Sequence, residues 1–256
     1  FLASYFTRRY DEVRGKKFSA VKPFIVMGVL GVFLLAQPDL GSTVVLFVIT
    51  FGMLFIVGAN FWQFILLIGT GILLFIWLVL SASYRLKRFT GFLEPFKDPY
   101  GTGFQLTNSL MAFGRGEISG EGLGNSIQKL DYLPEAHTDF IMAIIGEEFG
   151  FIGIFVVVIL LGLLIFRAMK IGRESLMLEQ RFRGFFALGI SFWIFFQGFV
   201  NLGMALGMLP TKGLTFPLVS YGGSSIIIMS ATVGILLRID HENRLQRGGQ
   251  ARLRDD

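Results

Sequence analysis

The chain has 256 residues, of which 53% are hydrophobic and 16% charged, and its mean hydropathy of +0.65 excludes an ordinary soluble domain, where about 25% of residues carry charge. The formal charge of +5 raises nucleic acid as a partner, but in so apolar a chain Lys and Arg act as cytoplasmic topology signals, so no nucleic acid is expected. The absence of cysteine rules out disulfides and thiolate-held metals, while 29 Phe and 32 Gly suit helices that meet lipid with aromatic rings and each other with small residues.

The start, FLASYFTRRY, has no initiating Met and lacks the layout of a signal peptide. It reads as the end of a helix running into a basic loop, so residues 1–22 are expected to begin mid-protein. Residues 23–80 then hold three spans. The first, PFIVMGVLGVFLLAQ at 23–37, is short for a crossing and must use part of its flanks. In the QPDLG that follows, Asp39 stands at a helix boundary, where a cap is the default. TVVLFVITFGMLFIV at 43–57 is the second span, and GAN at 58–60 is short enough to force an antiparallel hairpin into the third, FWQFILLIGTGILLFIWLVL at 61–80. Trp62 and Trp77 are placed there like interfacial anchors.

From 81 to 138 prolines, glycines and charges appear, a loop of roughly 58 residues, and loops of that length are functional or disordered. Residues 139–238 hold three further spans, near 140–166, 184–206 and 226–237, the first interrupted by Gly146, Glu147, Glu148 and Gly150. The last two flank a Pro/Gly-rich re-entrant segment at 207–225, GMLPTKGLTFPLVSYGGSS, and residues 239–256 form a polar tail expected to be disordered. The fold class is thus all-α, a polytopic transmembrane helical bundle with one long loop. The basic segments at 8–22 and 167–183 and the tail fall on one side of six spans, which makes that side cytoplasmic and turns the long loop and the re-entrant segment outward. The loop's own Arg85, Lys87, Arg88, Lys97, Arg115 and Lys129 count for less, because long loops translocate largely regardless of charge.

The densest group of proton-handling residues is LPEAHTDF at 133–140, at the lip of an apolar helix. There Thr138 or Asp139 caps the helix, or Asp139 accepts a proton at a wet mouth, and the two roles are compatible. Glu135, His137 and Asp139 alternate as metal ligands do, but Pro134 and the lack of a second nearby histidine argue against a closed zinc site and leave a loosely held Mg²⁺ or Mn²⁺. Glu147 lies eight residues on, about 12 Å further along a helix. Charged carboxylates within a span cost roughly 2.5–3.5 kcal/mol, so Glu147 and Glu148 must face a cavity, pair, or be protonated. Gln197 and Asn201, at i and i+4, offer amides that meet these glutamates or a backbone. Lys212 either snorkels or caps a helix end, or neutralises a phosphate at the surface. SYGGSS at 220–225, with Ser220 and Gly222, either offers backbone N–H groups to an anion or makes a tight helix entry.

Taken together, YLPEAHTDF, GEEFG, LPTKGLTFPLVSYGGSS and QPDLGS resemble the SEDS family of bacterial cell-wall polymerases (shape, elongation, division and sporulation proteins), over almost the whole chain. PEAHTD and LPTKG are more similar to the division branch than to the elongation branch. Family members have about ten transmembrane helices, so the resemblance implies that the first ones are absent here, FLASYFTRR matching the end of the fourth. It implies a peptidoglycan glycosyltransferase of the bacterial inner membrane that polymerises lipid II, the undecaprenyl-pyrophosphate-linked disaccharide pentapeptide, at the division septum. Carried over, the essential aspartate falls on Asp139 and the re-entrant lysine on Lys212. Glu135, His137, Asp131, Arg115, Lys129, Ser220 and Gly222 are candidate substrate-binding residues. No tightly bound cofactor is implied. The implied partners are the bilayer, a class B penicillin-binding transpeptidase and other divisome membrane proteins. The competing functions are a lipid II flippase and a non-catalytic scaffold that activates the transpeptidase.

Overall fold

The computed structural model describes residues 1–15, 21–37, 39–81, 91–211 and 213–255. Lys212, Arg85, Lys87 and Arg88 lie outside the described residues, as does the side chain of Asp131. Regular structure among the described residues is helical, with no strand. Short helices α1 (Leu2–Arg8) and α2 (Tyr10–Gly15) precede α3 (Val21–Ala36), α4 (Leu40–Val57) and α5 (Phe61–Leu80). The long connection carries a 3-10 turn at Pro95–Lys97, α6 (Phe104–Gly116) and a π-helical turn at Gln128–Tyr132. Then come α7 (Ile141–Met177), α8 (Arg181–Ala205) and α9 (Gly223–Asp255). Four of these, α4, α7, α8 and α9 as far as Gly248, are long and apolar enough to cross a membrane, and α3 and the first part of α5 are shorter apolar helices. The chain is a multi-pass membrane protein.

Local chemistry sets the ends of these helices. Asp39 is the N-cap of α4, its carboxylate accepting from the Ser42 N–H at 2.9 Å. Gly58 closes the same helix in the left-handed conformation, φ +77°, which a side chain would resist.

The chain divides into two compact units. One comprises Phe1–Ile68, Gly162–Phe195 and Ile227–Asp256. Its core joins Phe6 and Val13 to Met53, Leu54, Val57 and Phe185. Within it the polar tail, expected to be disordered, instead continues as helix through Asp255. Side-chain pairs hold it there: Arg167 donates to both oxygens of Asp240 at 3.0 Å, Asn243 donates to the Ser175 hydroxyl at 2.9 Å, and Arg183 pairs with Glu242. Composition reported the charges as solvated, whereas half of each pair is supplied by a distant helix.

The second unit comprises Gly69–Leu161 and Phe196–Ile226. Its core collects Ala112 of α6, Leu133, Ala136 and Phe140 of the segment before α7, Ala143 and Ile144 of α7, and Ala205 of α8. Small side chains let the backbones approach closely enough for Ser109 to donate to the Ala205 carbonyl at 2.7 Å.

Inside this unit α7 is broken at Gly150, whose φ of +63° and ψ of −160° only glycine adopts readily. A break of this kind orphans two carbonyls and two amides, and the segment after α6 supplies all four partners. Glu121 and Gly122 N–H groups donate to the Glu147 and Glu148 carbonyls at 3.0 and 2.9 Å. In turn Phe151 and Ile152 N–H groups donate to the Glu117 and Ile118 carbonyls at 2.9 and 3.2 Å. Such an approach demands missing side chains, since a β-carbon on Gly116, Gly120 or Gly150 would collide with the carbonyls of Gly146, Glu148 or Ile118. Gly150→Ala therefore adds a collision to a conformational cost of about 1–3 kcal/mol. The expected outcome is a lowered midpoint of thermal unfolding in detergent, and an unchanged midpoint would show that the break needs no glycine.

Candidate functional site

The segment 133–140 makes a turn immediately before α7, and its geometry centres on Asp139. Glu135 takes a left-handed backbone conformation, φ +59°, and its carbonyl accepts from the Thr138 and Phe140 N–H groups at 3.2 Å each. Thr138 turns its hydroxyl back onto the Glu135 carboxylate at 2.6 Å, so it does not cap α7 with that side chain. Phe140 is buried in the unit's core and anchors the turn.

Three consecutive carbonyls in this turn are each held by a donor from elsewhere in the unit. The Tyr221 N–H donates to His137 O at 2.9 Å, the Ser220 hydroxyl to Thr138 O at 2.6 Å, and the Asn201 amide to Asp139 O at 2.7 Å. Asn201 also donates to the Leu214 carbonyl, and Gln197 donates to Thr215 O at 2.8 Å. These α8 amides thus meet backbone and not Glu147 or Glu148.

The Asp139 carboxylate itself is half-buried and has no hydrogen bond or ion pair among the described residues. Burial raises its pKa to about 6, and the neighbouring Glu135 carboxylate pushes the same way. A β-carbon on Gly213 would lie 3.3 Å from its Oδ2. The carboxylate therefore sits against the residue that follows Lys212 in the sequence.

The two glutamates of α7 are satisfied by the long connection. Glu147 is completely buried and accepts from Arg115 Nη1 at 3.0 Å, from the Ser126 hydroxyl, and from the Ile127 and Gln128 N–H groups at 3.1 and 3.2 Å. Glu148 accepts from Lys129 Nζ at 2.6 Å. Each carboxylate thus meets a cation, which answers the cost of charges in an apolar segment. Ser126 and its two neighbouring amides were not singled out from the sequence. The available signal was general: two acids inside an apolar run need cations, and the long connection carries several, with nothing in the sequence to single out Arg115 and Lys129.

The structure brings together Asp139, Glu135 and His137, the last two exposed, with Ser220 and Gly222 on the adjoining segment. Ser220 is buried, its oxygen already accepting from Phe216 N–H at 2.6 Å while donating to Thr138 O. The Gly222 carbonyl accepts from Ile226 N–H at 2.9 Å in the entry to α9. Arg115 and Lys129 stand with the glutamate pair, and the Asp131 backbone lies in the π-helical turn. Among the described residues no three His, Asp or Glu gather closely enough to hold a metal ion.

Residues 1–245 match the model of the FtsW/RodA/SpoVE family, cell cycle protein. The full chain is 83% identical to the protein named probable peptidoglycan glycosyltransferase FtsW in Pasteurella multocida and 86% identical to its namesake in Haemophilus influenzae, spanning 65% of the length of each. The Escherichia coli protein of the same name is 57% identical over 96% of this chain and 60% of its own. Among solved structures, a chain from work on the structural coordination of polymerization and crosslinking by a peptidoglycan synthase complex matches with a TM-score of 0.75 and 27% identity, covering 94% of this chain and 66% of that one. The rod shape determining protein RodA of Thermus thermophilus matches with a TM-score of 0.61 at 24% identity, over 94% of this chain and 63% of that one, a likeness of fold.

Proposed function

The chain belongs to the FtsW/RodA/SpoVE family of cell cycle proteins, and on that premise we propose that it acts as a peptidoglycan glycosyltransferase, polymerising lipid II during septal wall synthesis. The observation that carries the reading is the Asp139 carboxylate, half-buried, unpaired among the described residues, and fixed through its backbone at the lip of α7. Transfer of a glycan from a lipid pyrophosphate needs a base that takes the proton of the acceptor sugar hydroxyl as that oxygen bonds to the donor's anomeric carbon. It also needs positive charge where the bond to pyrophosphate breaks. Asp139 has a pKa of about 6, high enough to accept a proton and low enough to be ionised at neutral pH. Lys212, assigned by resemblance, is the cation for the leaving group, and the exposed Glu135 and His137 flank the acceptor. In this reading Mg²⁺ or Mn²⁺ would be held loosely, by one carboxylate and the oxygens of the substrate pyrophosphate.

In the same reading the site opens on the outer face of the inner membrane and α9 ends in the cytoplasm. A class B penicillin-binding transpeptidase then crosslinks the new strand, alongside other divisome membrane proteins. A solved relative from a complex that coordinates polymerization with crosslinking supports that pairing. Glu147 and Glu148, the acids best placed to line a transport path, are committed to Arg115 and Lys129, which favours surface chemistry over flipping.

The test is to incubate the purified full-length protein and its transpeptidase with lipid II in detergent and to follow glycan chains across pH. Because the base acts when deprotonated, the rate should be full at neutral pH and fall below about pH 6, roughly tenfold per unit at lower pH. A flippase or a scaffold makes no polymer, and a flat profile through that window would remove Asp139 as the base.

A further inference from the structure

We propose that Asn201 and Ser220 are positioning residues for Asp139, holding the two peptide planes on either side of it and locking one of them to the re-entrant segment. The inference rests on Asp139 acting as the base. The Thr138 carbonyl belongs to the peptide plane before the Asp139 Cα and the Asp139 carbonyl to the plane after it. Ser220 holds the first at 2.6 Å and Asn201 the second at 2.7 Å. With both planes held, φ and ψ of Asp139 are set, and with them the direction in which its side chain leaves the backbone.

The donors are built for this task. Asn201 is fully buried, and its single NH₂ group serves two carbonyls, Asp139 O and Leu214 O. The amide orientation is settled by those partners, because the flipped form would press its oxygen against both carbonyls. Its Oδ1 is left buried with no hydrogen-bond partner among the described residues. An unsatisfied buried acceptor is a cost that native folds rarely keep, and here it accompanies two well-used donors. Ser220, also buried, accepts from Phe216 N–H while donating to Thr138 O, so it joins the same two segments. Gln197, one turn before Asn201, holds Thr215 O at 2.8 Å. One face of α8 therefore sets the register between the Asp139 turn and residues 214–216, two positions beyond Lys212.

The charged group that bears on the Asp139 carboxyl among the described residues is Glu135. Half-burial depends on the turn being held, so a released turn exposes the carboxyl and lowers its midpoint of titration toward the ordinary value for aspartate. A role confined to folding would lower the yield of protein and leave that midpoint alone.

The experiment compares Asn201→Ala, Ser220→Ala and Ser220→Thr with the parent and with Asn243→Ala, a buried amide bonded to Ser175 and Ile171. Each is made in the full-length protein with its transpeptidase. Both Asn201→Ala and Ser220→Ala should cut kcat for lipid II by about 10²-fold with KM nearly unchanged, the cost of misplacing a catalytic group by about 1 Å. Ser220→Thr, which keeps a hydroxyl donor, should restore most of the rate. Infrared titration of the Asp139 carboxyl, taken as the difference from Asp139→Asn, reads position without turnover. Its midpoint should fall by at least about one unit in both alanine variants and stay in place in Asn243→Ala. If Asn201→Ala yields no folded protein, Ser220→Ala decides, since it deletes a single oxygen. A loss that appears in KM, or in folded yield with the midpoint unmoved, overturns the proposal. Should Asp139→Asn itself remain active, the base assignment fails instead, while the infrared shift still reports whether the clamp holds the carboxyl.

Discussion

Asp139→Asn should abolish polymerisation of lipid II, by at least roughly 10²- to 10⁴-fold, in protein that still inserts and folds. The amide is close in size to the carboxylate but cannot accept the proton of the sugar hydroxyl. It should also fold readily, because the structure asks nothing of the side chain: the three carbonyl contacts of the turn are backbone contacts, and the carboxylate is bonded to no described residue. Burial that raises the carboxyl to about 6 is a cost to the folded state whenever it is ionised, so removing the charge should leave thermal stability at neutral pH equal or higher. Chain synthesis in detergent and an unfolding scan on the same preparation separate the two effects. Retained synthesis by the purified complex would refute the assignment.

Glu147→Ala should have the opposite profile, a structural collapse with no direct part in the chemistry. Its carboxylate is completely buried and gathers Arg115, the Ser126 hydroxyl and two backbone N–H groups. Removing it takes the shared acceptor from all four donors at once. Breaking a buried charge pair costs about 3–5 kcal/mol. Arg115 recovers part of this because it is partly exposed and has Glu121 within 3.7 Å, but the buried Ser126 hydroxyl loses its acceptor. The expected result is loss of most folded protein, with protease cleavage appearing between α6 and α7. Glu148→Ala should cost less, since its cation partner Lys129 is partly exposed and can turn to water, although the buried carboxylate also takes backbone hydrogen bonds from Gly124 and Ser126. Equal losses from the two substitutions would show that the Glu147 cluster is not what holds the connection.

The sequence disclosed most of the scaffold because apolar runs of membrane length have few alternatives. The helices α3, α4, α5, α7, α8 and α9 each cover an expected apolar segment, and Asp39 caps α4 as its place before LGS implies. However, α7 continues to Met177 through most of the basic stretch read as a loop, and α9 runs on through the tail. Asp139 stands out in the sequence as an acid at the lip of such a run, its essential role coming from the family resemblance, and the structure leaves its carboxylate half-buried without a hydrogen bond among the described residues. Less could be read where partners come from afar. Nothing near Glu147 reveals that Arg115, 32 residues earlier, would meet it. Asn201 and Gln197 stood out as polar residues on one helix face, yet whether they would meet acids or carbonyls depends on what packs there. Gly150 is the sharpest case: a glycine in an apolar run looks the same whether the helix continues or breaks. The partners for its orphaned groups lie in EISGEG at 117–122, whose composition marks a connection and not what it pairs with.

That splice couples two parts of the chain that would otherwise open independently. The amides of Glu121, Gly122, Phe151 and Ile152 are shared across it, so none can exchange with solvent unless the whole junction parts. A displacement of residues 117–122 is thereby delivered to α7 at its Gly150 break through main chain alone, a mechanical linkage that side-chain substitution on the surface would leave intact.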